Sequence, residues 1–139
     1  LNKSVNILIG LFSIFLVFLL WVLITRRKKK VGKEEFKKLY INKLSLLKRL
    51  CHKEDDCEKI IEELSSAIRT FLSKSLGIRY QFTYNELINE IIIKRINEDL
   101  RRDLIKFSKL MLEEEYHTKP TKKELINLIE KGINIIERF

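Results

Sequence analysis

From Ser4 to Thr25 the chain carries no charged side chain, and 16 of the 20 residues of Val5–Ile24 are Leu, Ile, Val or Phe. As a helix this run is about 30 Å long, the thickness of a bilayer's hydrocarbon core. Insertion is favoured by roughly 5–10 kcal/mol, and Asn6, Gly10 and Ser13 do not offset that. Trp21 falls one turn before the end, where an indole rests at headgroup level. A soluble core helix is not apolar on every face for this length. A cleavable signal peptide carries its charges before a shorter apolar stretch and ends in small residues. Here Arg26, Arg27, Lys28, Lys29 and Lys30 follow a long run, so the segment reads as a membrane helix.

The net charge of +9 is uneven. Five units sit in Arg26–Lys30, while residues 31–139 hold 22 basic and 19 acidic side chains. The cluster therefore reads as a stop-transfer anchor, able to hold anionic lipid heads, rather than a nucleic-acid site. The positive-inside rule then places the N-terminus outside and residues 31–139 in the cytosol, across the inner membrane. The expected division is 1–25 for the membrane helix, 26–32 for a basic linker and 33–139 for a cytosolic domain. A start at Leu1, with Met111 the only Met, suggests a fragment or a mature form of a longer chain.

One Pro and four Gly argue against turn-rich β folds. Phe36, Leu39, Tyr40, Leu44, Leu47, Leu50 and Cys51 recur at helical spacing, predicting a helix over 33–51. Ile60, Ile61, Leu64, Ala67, Ile68, Phe71, Leu72 and Leu76 make a second stripe that Gly77 would end in a left-handed cap. Ile78–Phe82 alternates and reads as an extended connector. Thr83-x-x-Glu86 is a capping box opening a helix to about Ile92, and Asn97 caps one that ends near Tyr116. Leu100, Leu104, Phe107 and Met111 are its apolar stripe. Thr121-x-x-Glu124 opens the last helix, with Leu125, Leu128, Ile129, Gly132 and Ile136 inward. The expected fold is all-α: one transmembrane helix, then a cytosolic bundle of about five helices.

Chemistry is sparse. Cys51-His52-(x4)-Cys57 falls short of the four ligands zinc takes, with only His117 besides, and Cys51 reads as a core residue. No nucleophile–base set is legible, so neither an enzyme nor a cofactor is expected. Glu113-Glu114-Glu115 reads as a solvated face. Arg101, Arg102, Lys106 and Lys109 form a modest stripe interleaved with Glu98, Asp99 and Asp103, and no nucleic-acid partner is expected. Arg69 falls at the edge of the second stripe. Either Arg69, Thr83 and Glu86 only hold two helices together, or they join Arg79, Tyr80 and Phe82 in binding a partner, with Tyr80 or Phe82 as exposed anchors.

Ala67-x-Arg69-x-Phe71-Leu72, then Leu76-Gly77-Ile78, then Thr83-x-x-Glu86-Leu87 resembles the cytosolic tail of BatD-type membrane proteins. Those are encoded beside MoxR-type AAA+ ATPases and von Willebrand A-domain membrane proteins. The layout matches over residues 5–139 and specific side chains at about a dozen positions. The resemblance implies a non-catalytic, single-pass adaptor for an AAA+ ATPase or an A-domain partner, serving envelope stress tolerance or protein maturation. Small membrane proteins of the same gene neighbourhoods share much of this layout. Two other readings are a membrane-surface nucleic-acid or anionic-lipid binder using the basic run, and a structural subunit assembling through its membrane helix.

Overall fold

Five helices follow one another in the computed structural model, which describes residues 2–53, 56–116 and 119–139, the Tyr116 side chain excepted. They are α1 (Asn2–Lys53), α2 (Cys57–Leu76), α3 (Tyr84–Ile93), α4 (Glu98–Tyr116) and α5 (Lys122–Glu137). Among the described residues there is no strand, and the protein is all-α. The chain divides into two compact units, one ending at Phe36 and the other running Lys37–Phe139.

The first unit contains a candidate membrane span by length and composition. Apart from the half-buried Val22 and Phe36, its large apolar side chains are exposed, from 44 % at Leu19 to 71 % at Leu8. The hydroxyls of Ser13 and Thr25 are satisfied within the helix. Ser13 Oγ donates to the Ile9 carbonyl (2.9 Å) and Thr25 Oγ1 to that of Trp21 (2.8 Å). A helix in hydrocarbon needs this internal closure. Residues 26–32, expected as a basic linker, are helical within α1, which continues to Lys53. Straight-chain Arg and Lys are good helix formers, and the single Gly32 costs only about 1 kcal/mol.

The second unit is a bundle built from the C-terminal part of α1 and from α2–α5, so the helix expected over 33–51 exists as a continuation of the apolar N-terminal helix. Tyr40, Leu44, Leu47 and Cys51 of α1 are buried, whereas Leu39 is 63 % exposed. Leu39 lies next to Tyr40 in sequence but about 100° around the helix from it, which takes it off the inward stripe. Every buried residue among those described, from Tyr40 to Ile136, belongs to this unit. Its buried core lies wholly among residues 37–139, as in a domain able to fold alone.

Helix ends fall where the local chemistry puts them. Gly77 closes α2 at φ 67°, with its N–H on the Ser73 carbonyl. Thr83 and Thr121 each form a reciprocal capping box, with Glu86 and Glu124. Asn97 Oδ1 accepts from the Asp99 and Leu100 amides at the start of α4 (2.9 and 3.4 Å). Ile91–Ile93 stay helical despite three β-branched residues.

The bundle has two distinct ends. At one, Lys37 Nζ donates to the Glu137 carbonyl (2.9 Å), and Arg138 pairs with Asp103 (2.6 Å). At the other, Cys51 Sγ lies 3.9 Å from the Lys122 carbonyl, and Lys119 pairs with Glu58 (3.0 Å).

Candidate interaction groove on the α2 face

Three side chains, one from each of three helices, converge on the Ser65 hydroxyl. Ser65 is buried on α2, one helical turn before Arg69, so both share a face. Arg69 donates to Ser65 Oγ from Nε (3.1 Å) and from Nη2 (2.8 Å). Nη2 also donates to Glu115 Oε1 of α4 (2.7 Å), and Ser65 Oγ donates to the same carboxylate. Tyr84 of α3, 1 % exposed, places its hydroxyl 3.1 Å from Ser65 Oγ. The Arg69 guanidinium lies 5.0 Å from the Tyr84 ring centroid, within cation–π range.

The electrostatics follow from that arrangement. Burial disfavours the Arg69 charge, but the hydrogen bond and charge of Glu115 outweigh it, so the guanidinium is held above its ordinary pKa. Burial pushes the Tyr84 phenol up to about 12, against the opposing pull of its bond to Ser65 and the Arg69 charge. The Arg69–Glu115 side chains are 38 % and 20 % exposed, so the pair is reachable from solvent.

Above this network opens a groove of about 460 Å³. Ser66, Thr70 and Ser73 of α2 line it with hydroxyls, Glu62 and Glu115 with carboxylates, and Tyr80 and Phe82 form an aromatic wall. Tyr80 is 50 % exposed; its ring meets that of Phe82 edge-on at 6.5 Å. Its hydroxyl donates to Glu90 Oε1 (2.7 Å), an acceptor that raises the phenol pKa. With Arg69 and Lys74 also in the lining, such a surface offers hydrogen bonds, two cations and an aromatic edge: the equipment for holding a polypeptide segment.

Of the residues singled out in the sequence, Arg69, Tyr80 and Phe82 meet in this groove. Phe82 is not an exposed anchor; at 5 % exposure it is buried, because it points inward with Ile78 at the other end of the connector. Arg79 is exposed and outside the lining. Thr83 and Glu86 are engaged with each other: Glu86 Oε2 accepts from the Thr83 amide (2.7 Å), and Thr83 Oγ1 accepts from the Glu86 amide (3.3 Å). Trp21 and Arg26–Lys30 are exposed along α1.

Ser65, Tyr84 and Glu115 were not among those residues. The sequence groups Glu115 with Glu113 and Glu114 as a solvated face, but three consecutive helical residues span about 200° and cannot share a face. Glu115 follows Met111 by four, which carries the buried stripe of α4 on to it; that spacing was the available signal. Cys51 is buried, which raises its thiol pKa, and Cys57 is half-buried. His117 lies outside the described residues. Arg101 and Arg102 pair with Glu98 (2.6 Å) and Asp99 (2.8 Å).

No family model, curated protein or solved structure matches the chain.

Proposed function

We propose that this protein is a single-pass adaptor of the inner membrane, with its helical domain in the cytosol docking a protein partner in the Arg69 groove. The observation that carries this reading is the groove itself. It combines a solvent-reachable Arg69–Glu115 pair, a row of hydroxyls and the half-exposed Tyr80 on a domain joined to an exposed apolar helix. The Arg26–Lys30 cluster supports an outside N-terminus. Confinement to the membrane surface raises the effective concentration at which the groove meets other membrane-associated proteins. The BatD-type resemblance points to a MoxR-type AAA+ ATPase or a von Willebrand A-domain membrane protein as the partner. No step of this role requires catalysis by the chain.

The test is affinity capture of the tagged full chain from native membranes, at low and moderate salt. The expected result is recovery of an AAA+ ATPase or A-domain protein at both salts, lost on Thr70→Arg with Tyr80→Ala. Those substitutions change exposed groove residues and spare the core. Recovery of neither protein, or equal recovery by the variant, overturns the reading.

A further inference from the structure

Outside the apolar run, the second unit leaves two adjacent isoleucines in water. Ile93 is 75 % exposed and Ile92 56 %. Ile93 is thus more exposed than Leu8, at 71 % the most exposed large apolar side chain of the membrane span. Ile91 takes the inward face of α3, so its two successors, about 100° and 200° further round, turn away from the core. No packing role accounts for two isoleucines there. Lys94 and the exposed Arg95 follow at once.

The position of this corner within the bundle matters. Arg101 Nη2 donates to the Lys94 carbonyl (2.8 Å), which fixes the corner against the start of α4. The start of α4 is joined through Asp103 to Arg138, and Glu137 is joined to Lys37. The corner therefore shares an end of the bundle with Lys37, and Lys37 is the residue at which the unit connects to the apolar run. Only 12 residues separate Ile24 from Lys37. Of the nearby carboxylates, Glu98 and Asp99 are held by Arg101 and Arg102 and Glu90 accepts from the Tyr80 hydroxyl, so Lys94 and Arg95 leave the corner net positive.

We propose that the Ile92–Arg95 corner is a second membrane contact, in which two isoleucines enter the headgroup boundary of an anionic phospholipid bilayer while Lys94 and Arg95 meet its lipid phosphates. Apolar side chains beside cations are the combination that binds such a surface. The proposal rests on the membrane reading above only for bringing the bilayer within reach.

The test uses residues 37–139, which lack the apolar run, with vesicles of phosphatidylcholine alone or with about a third phosphatidylglycerol. Binding to the anionic vesicles only is expected. Ile92→Ser with Ile93→Ser should weaken it at least tenfold, and Lys94→Gln with Arg95→Gln by about thirtyfold, with helical circular dichroism unchanged. Absence of binding, equal binding to neutral vesicles, or variants that bind like the parent overturns the proposal. Dimerisation without vesicle binding, abolished by the isoleucine variant, overturns it in favour of a second copy. Alkaline extraction of the full chain from membranes reads the anchor separately; release there overturns anchoring, while the vesicle assay still decides this contact.

Discussion

Replacing Gly132 by alanine sets two opposing effects against each other, and the structure decides between them. A Cβ at Gly132 would sit 3.1 Å from Ile68 Cδ1, 3.1 Å from Leu44 Cδ2 and 3.6 Å from Phe107 Cζ. Carbon atoms pack at about 3.5–4.0 Å, so two methyl groups must retreat by roughly half an ångström. Leu44 and Ile68 are 0 % and 1 % exposed, with no solvent side to retreat into. Alanine gains about 1 kcal/mol of helix propensity, and overpacking costs about 1–3 kcal/mol. The expected net loss is about 1 kcal/mol, or a fall in melting temperature of about 4–8 °C for a unit of this size. Urea unfolding of residues 37–139, followed by circular dichroism, measures it. Adding Leu44→Val should relieve part of the cost, giving a favourable coupling in a double-mutant cycle. Stabilisation of Gly132→Ala by about 1 kcal/mol, as at an exposed helical glycine, would refute the reasoning.

Two further outcomes follow from the caps and the buried phenol. Thr83→Ala and Thr121→Ala should each cost about 1 kcal/mol and add nearly independently, since each closes a different helix; unchanged urea midpoints would show that the capping boxes contribute nothing. Tyr84, with a folded pKa of about 12 against an unfolded value near 10, keeps its proton in the native state after the unfolded chain has lost it. Stability should therefore fall as pH rises from 10 towards 12, and Tyr84→Phe should flatten that slope; a variant with the parent's slope would contradict the assignment.

Much of the fold was legible because helix ends are local. Thr83, Asn97 and Thr121 accept from amides within three residues, and Gly77 donates to a carbonyl four residues back. The inward stripes of α2, α4 and α5 were legible for the same reason, since period alone separates one face from the other. Features that depend on a neighbouring helix were not. Leu39 looks like a core residue by type, yet the stripe that meets α2 and α5 passes through Tyr40 and Leu44. Glu115 looks like a surface acid until Ser65 and Arg69 are placed opposite it. Phe82 and Tyr80 are both aromatic residues of one connector, and only the packed structure distinguishes a buried wall from a half-exposed edge. At Gly32 the sequence suggests a boundary, but one glycine among good helix formers is too weak to make one.

The position of α5 also bears on how the protein is made. Leu44 and Ile68, far upstream, close their packing around Gly132, and Phe71 meets the ring of Phe139 edge-on at 5.4 Å. The first two segments of the bundle leave the ribosome with these apolar faces bare, and no earlier helix supplies the missing surface. Closure waits until residues up to Phe139 have emerged. During that interval the nascent chain has a greasy flank that chaperones or proteases can find, and a stop codon placed before Thr121 would make that interval permanent.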